Sequence, residues 1–323
     1  MRARVAIKAL VLLGLILYAC ALPSALRAQQ PPYIGAPITG LDQGSPPAAD
    51  NAPLGQSTLS FIDSAVPQNN VRLRFDAGYH VPRPTRAEFF QAKGGLPFSP
   101  GLPLPETSIN SFQELTAYFE FAPAPFFSTF LETPYRWLNP EINSNSNGIG
   151  DVNFGFKLCT WHSDDFLGTL QLRVYNPTAS HPGLGADHWT IEPAFLGMWR
   201  PYDNIIVEGD VRYIAPLSGT DFAGDVLRYG VGLSLGQANP QGFWFKPAIE
   251  SVGWTVRGGK EMVVTSPDSF FVLGSSGKTI FNAYAGVRVG LGATFDCYAG
   301  YGRCITGSSW SRDFARIEFR LFY

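Results

Sequence analysis

The sequence predicts an all-β fold, an antiparallel up-and-down transmembrane β-barrel of about 12 strands. Three observations carry the prediction. Apolar and polar side chains alternate over segments of about ten residues. The connections between these segments are long and short in turn. Charge is sparse while rings are abundant: charged residues are 15% and aromatics 14% of the 323 residues, against about 25% charged in an ordinary globular domain. The 34 glycines and 26 prolines disfavour long helices. No basic cluster is present, so no nucleic-acid partner is expected.

Arg2, Arg4 and Lys8 precede an apolar run from Ala9 to Leu22. With a cut after Ala28, residues 1–28 read as a signal peptide, too short to span a bilayer. A competing reading makes Cys20 a lipid-modified first residue, although Tyr18 fits that pattern poorly. Removing residues 1–28 takes away four basic residues and no acidic one, leaving 20 basic against 26 acidic residues, a net charge of −6. Residues 29–56, rich in Pro, Gly and Ala, read as a disordered tether, and 57–70 as a short ordered lead-in to the barrel. No plug domain is evident.

From residue 71 the period is two. In VRLRFDAGY, Val71, Leu73, Phe75, Ala77 and Tyr79 share one face and Arg72, Arg74 and Asp76 the other. Weaker alternation follows at 114–122 and 126–132, then clear alternation in DVNFGFKL (151–158) and TLQLRVY (169–175). Further strands are expected at 189–199, 205–214, 226–235, 243–254, 283–290, 293–302 and 316–323. The segments 81–112, 134–148, 176–188 and 257–277 are long, whereas 122–125, RPYD at 200–203 and 290–292 are short. A β-sandwich also alternates, but it has no reason to sort its connections by length, and its strands average about five or six residues. Membrane strands need about nine to eleven. A closed barrel leaves no backbone group unpaired in lipid.

The final strand, RIEFRLFY, places Ile317, Phe319, Leu321 and Tyr323 on one face. An apolar series ending on an aromatic reads as the signal taken by the barrel assembly machinery, so that machinery and outer-membrane lipid are the expected partners. The predicted location is the outer membrane.

GIGDVNFGFKL, at 148–158, resembles the hallmark strand of the meta-pathway phenol-degradation/transporter-like outer-membrane family. FIDSAVPQNNVRLRFDAGY, GLPLPET, GTDFAGDVLRYGVGLS, VGWTVRGGKE and YAGYGRCITG resemble a planctomycete group of such barrels, over residues 57–323. The resemblance implies a barrel in the outer membrane and a transport role, with aromatic or hydrophobic solutes suggested only by the family name.

On the inward parity, charges of both signs collect: Arg72, Arg74, Asp76, Glu120, Lys157, Arg173, Glu192, Glu208, Asp210, Arg212, Arg228, Lys246, Glu250, Arg288, Glu318 and Arg320. These are the pore-lining candidates. They either set the field of a wet channel or pair across strands and fill a lumen of intermediate width. The aromatics Phe89, Phe90, Phe98, Tyr135 and Trp137 are expected in external loops that cap the barrel.

No catalytic set, cofactor or resident metal is expected. GLSLG at 232–236 matches a nucleophile-elbow pattern, but Ser234 falls inside a strand rather than on a strand-to-helix turn. GSSGK at 274–278 lacks the first P-loop glycine, since Val272 stands there. His181, Asp187 and His188 share one loop without an evident fourth ligand. Cys297 and Cys304 meet only if the chain turns at Gly300–Gly302. The expected function is passive passage of small solutes through a mixed-charge lumen; the alternative is a non-conducting structural or adhesive barrel acting through its long loops.

Overall fold

The computed structural model describes residues 56–81, 102 and 108–323, apart from 182, 220, 221, 238, 240, 267, 268 and 308–310. The leader at 1–28, Cys20, the tether up to residue 55, and Phe89, Phe90 and Phe98 lie outside the described residues.

Period-two sequence becomes strand throughout. The strands are β1 (Asn70–Val81), β2 (Ile109–Ala124), β3 (Phe127–Pro140), β4 (Ser146–Ile149), β5 (Val152–His162), β6 (Phe166–Asn176), β7 (Thr190–Tyr202) and β8 (Ile205–Pro216). They continue with β9 (Val226–Leu235), β10 (Phe243–Val256), β11 (Lys260–Ser266), β12 (Ser269–Gly274), β13 (Thr279–Leu291), β14 (Phe295–Cys304) and β15 (Asp313–Phe322). Neighbours pair antiparallel in chain order, and β1 pairs with β15 from Asn70↔Phe322 to Tyr79↔Asp313, which closes the ring.

β11 and β12 form a separate hairpin within the β10–β13 connection. β4 and β5 both pair with β3, at 135–138 and 127–132 respectively, so they are two stretches of one wall strand broken at Gly150–Asp151. The ring therefore has twelve strands. Tight turns fall at 125–126, 163–165, 203–204 and 292–294; Gly292, at φ 65°, supplies the left-handed residue that the last of these requires. All long connections leave from the opposite end.

One expectation is corrected. β3 runs to Pro140, so Tyr135 and Trp137 are wall residues rather than loop residues; they face outward with ring centroids 4.7 Å apart. Their prolines read as a loop because proline cannot donate to a ladder. Pro134 is tolerated because it lies opposite the Gly150–Asp151 break, where its carbonyl accepts from the Gly150 amide at 3.0 Å.

The outer face is apolar. Val71, Leu73 and Phe75 of β1 stand exposed beside Phe319, Ile317 and Leu321 of β15, and Phe154, Phe156 and Leu158 repeat the pattern on β5. Trp161, Trp199, Tyr202 and Tyr323 ring the turn end, while Tyr79, Tyr135, Trp137 and Tyr301 ring the loop end. Apolar surface so extensive is foreign to a chain in water and matches the aromatic girdles of barrels in lipid. Among the described residues no helix is long and apolar enough to cross a membrane.

Candidate functional site

Residues 56–69 lie inside the barrel. Gln56 enters at the turn end, where its Nε2 donates to the Ala293 carbonyl at 3.0 Å. The chain climbs through Ser57 to Ile62, bends at Asp63, and descends through Ala65 and Val66 to Asn70, again at the turn end, where β1 begins. Both limbs thus use one mouth of the barrel.

The climbing limb is held by its backbone. Arg320 Nη2 donates to the Ser57 carbonyl at 2.7 Å, and Arg288 donates to the Thr58 and Leu59 carbonyls at 2.9 and 3.0 Å. Arg316 and Arg228 donate to the carbonyls of Ser60 and Phe61. Carboxylates take the amides: Glu208 accepts from Thr58 at 3.1 Å, and Glu250 accepts from Ser60, Phe61 and Ile62 at 3.1, 2.8 and 3.0 Å. The buried peptide groups of an irregular segment need such partners, and charged partners make the stronger bonds.

Side chains add to this. The Phe61 ring stacks on Tyr284 at 3.7 Å between centroids and meets Phe314 edge-on at 5.5 Å. Leu59 and Ile62 pass over Gly232 and Gly230 of β9; a Cβ at Gly232 would sit 2.5 Å from Leu59 Cδ1. These two inward glycines leave the room the segment fills. Ser234 also faces inward, and its Oγ accepts from Thr58 Oγ1.

At the bend, Asp63 Oδ2 accepts from Arg173 Nη2 and Arg212 Nη1, each at 2.7 Å, and from Gln171 Nε2 at 3.4 Å. Burial alone would raise the Asp63 carboxyl, but Arg212 and then Arg173 hold it well below the usual carboxylate range. The descending limb is apolar: Ala65 and Val66 pack with Leu167, Ala194, Leu196, Met198 and Ile206.

All sixteen charged residues singled out from the sequence project into the barrel, and most engage one another across strands. Arg288 bridges Asp296 and Glu318 at 2.6 and 2.7 Å, and Arg320 reaches Asp296 at 2.7 Å. Asp76 binds Arg316 at 2.6 Å, Lys157 binds Glu120 at 3.0 Å, and Arg74 binds Glu132 at 3.1 Å. Asp210 holds Arg212 and also Arg228 at 2.7 Å; Glu192 accepts from Arg212 at 3.0 Å. Arg72 lies 4.0 Å from the Tyr118 ring centroid, and Lys246 5.8 Å from that of Trp244. Ile317, Phe319, Leu321 and Tyr323 face outward.

Among the described residues seven inward charges escape the candidate set: Asp63, Glu114, Glu132, Arg136, Asp296, Arg316 and, at the break before β5, Asp151. Five share the parity of their strands and were legible on that ground. Asp63 lies in a stretch without periodicity. The available sign was indirect, two glycines on the inward face of β9 with nothing in the strand itself to fill their space.

On the loop side of the Asp63 bend is a cavity of about 80 Å³, lined by charged residues together with Phe61, Pro134 and Tyr175. The connection at 177–189 folds over this end. Leu184 is buried with Leu102, Leu138 and Phe112, and Asp151 accepts from the Ala186 and Ala179 amides at 2.6 and 3.2 Å. His181, Asp187 and His188 form no metal cluster: among the described residues no group of three or more His, Cys, Asp or Glu could hold an ion. His188 Nδ1 instead lies 2.5 Å from the Ala186 carbonyl. Gly300–Gly302 continue β14 in register with β13 rather than turning, so Cys297 and Cys304 stay seven residues apart along one strand.

No family profile matches the chain, and no curated protein matches it in sequence. Solved structures do resemble it. An outer-membrane channel from Pseudomonas putida F1 superposes with a TM-score of 0.53 over 87% of this chain and 100% of that one, at 11% identity. The NanC porin gives 0.45 over 78% and 99%, also at 11% identity, and LpxR from Salmonella typhimurium gives 0.42 over 79% and 100%, at 10%. The first likeness is one of fold, a twelve-stranded closed barrel.

Proposed function

We propose that the protein is an outer-membrane channel for small polar solutes whose lumen is gated by its own residues 56–69. It is exported by the leader at 1–28 and delivered by the barrel assembly machinery through Ile317, Phe319, Leu321 and Tyr323. It belongs with the phenol-degradation/transporter-like barrels that GIGDVNFGFKL resembles.

The observation that carries this reading is the path of the lumenal segment. It enters and leaves by one mouth, and its climbing limb is held by charged partners along its backbone as well as by Leu59, Phe61 and Ile62 in an apolar cluster with Ile214, Val252 and Tyr284. Such a limb can withdraw without breaking any strand pairing. Withdrawal exposes the sixteen inward charges to water, and the passage is then passive, filtered by lumen width and charge. The filled lumen gives the second reading its own support: a barrel that never opens, acting through its loops.

Single-channel recording of the refolded full chain separates the two. Glu250→Gln weakens the grip on three amides, so the variant opens about tenfold more often than the parent, a loss of about 1.4 kcal/mol of closing free energy. If parent and variant are both silent while heat-modifiable gel mobility shows them folded, the channel reading fails and the structural one stands.

A further inference from the structure

The lumen holds a charged site whose present occupant belongs to the chain itself. Arg173 depends on Asp63. Apart from that 2.7 Å bond its acidic neighbours are distant, Glu132 at 3.7 Å and Glu192 at 4.0 Å, and its Nε has no hydrogen-bond partner. Arg212 differs, since Asp210 and Glu192 bind it whether or not Asp63 is present. When the climbing limb withdraws, Asp63 leaves with it, and Arg173 keeps only its longer ion pairs, to Glu132 and Glu192. A carboxylate that reaches it through the wet lumen then replaces the lost 2.7 Å bond with a charge-assisted pair of the same kind. The cavity beside the bend already opens onto Asp63, Arg173 and Arg212, with Phe61 and Tyr175 among its walls.

We infer that Arg173, Arg212 and Gln171 form a carboxylate-binding site which Asp63 occupies in the closed state and a small organic carboxylate occupies in the open one. The inference rests on the gated-channel reading and names its solute class. Asp63 acts as a tethered competitor, present at high effective concentration, so a solute carboxylate binds most readily when Asp63 is removed. The same competition lets the solute favour the open state, because it binds only there.

Sodium benzoate is the probe and benzamide its uncharged control, both titrated calorimetrically into the folded full chain in detergent. Asp63→Asn is expected to bind benzoate at least tenfold more tightly than the parent. Adding Arg173→Gln should abolish the gain, and benzamide should not bind. Equal benzoate binding with and without Arg173, or benzamide bound as tightly as benzoate, overturns the site.

A second measurement keeps Asp63 in place. In a chain lacking its native cysteines, Thr58→Cys with Ser234→Cys puts two thiols where the hydroxyls now touch. Benzoate should slow their cross-linking severalfold while benzamide leaves it unchanged; equal rates with both compounds overturn the proposal. The two readings fail separately. Asp63→Asn that conducts but binds no benzoate leaves the gate and removes the site, while Asp63→Asn that binds benzoate but stays silent leaves the site and removes the channel.

Discussion

Between Ser57 and Ile62 the barrel grips the lumenal segment by its peptide groups as well as by an apolar cluster around Leu59, Phe61 and Ile62, whereas around Ala65 and Val66 apolar contact predominates. The peptide bonds of the first limb are held by hydrogen bonds that water can replace one at a time once it enters. The second is buried in a patch whose exposure has no compensating partner in water, and it runs directly into β1. Residues 57–63 are therefore suited to move and 64–69 to stay as the hinge.

Substitutions can break this contrast, beginning with the largest effect. Arg288→Ala removes four hydrogen bonds, two to carbonyls of the climbing limb and two to Asp296 and Glu318, and leaves both acids buried. It should cost about 3–5 kcal/mol in urea unfolding followed by gel mobility, and abolish the Thr58–Ser234 cross-link. A retained cross-link would show that the limb does not depend on its backbone anchors. Met198→Ala, in the hinge patch, should cost about 2–5 kcal/mol as a cavity yet leave the cross-link intact. Its loss there would merge the two limbs into one unit.

A pH titration sharpens the role of the bend. Asp63 has a depressed carboxyl in the folded chain, so its contribution is complete above the unfolded value of about 3.9 and fades as pH falls through the lower folded value. The difference in unfolding free energy between the parent and Asp63→Asn should be constant from pH 8 to about 5 and shrink only in stronger acid. A difference that changes between pH 6 and 8 would mean that another group governs the bend. Smallest of all, Ser60→Ala should change stability by no more than about 0.5 kcal/mol, because Ser60 Oγ has no hydrogen-bond partner and only its backbone is held.

The wall was legible in the sequence because lipid outside and polar groups inside impose a period of two on every strand. The seam was legible in RIEFRLFY, since a strand that closes a ring must carry the pattern to its end. The lumenal segment was not. Leu59, Phe61 and Ile62 meet a different neighbour at each residue, so nothing periodic marks them, and their hydrogen-bond partners lie 167 to 229 residues away in sequence. Glu208 and Glu250, read as candidates either to line a wet channel or to pair across strands, meet peptide amides of the lumenal segment. Parity tells which way a side chain points but not what it meets there.

The register of the seam has a consequence for assembly. Arg316 and Arg320, which hold Ser60 and Ser57, both lie on β15, the strand whose pairing with β1 closes the ring. Until β15 docks on β1 and β14, the climbing limb lacks two of its anchors and cannot seat fully. An unfinished barrel therefore carries a loose lumenal segment and a finished one a seated segment, so closing the wall and filling the lumen are one event.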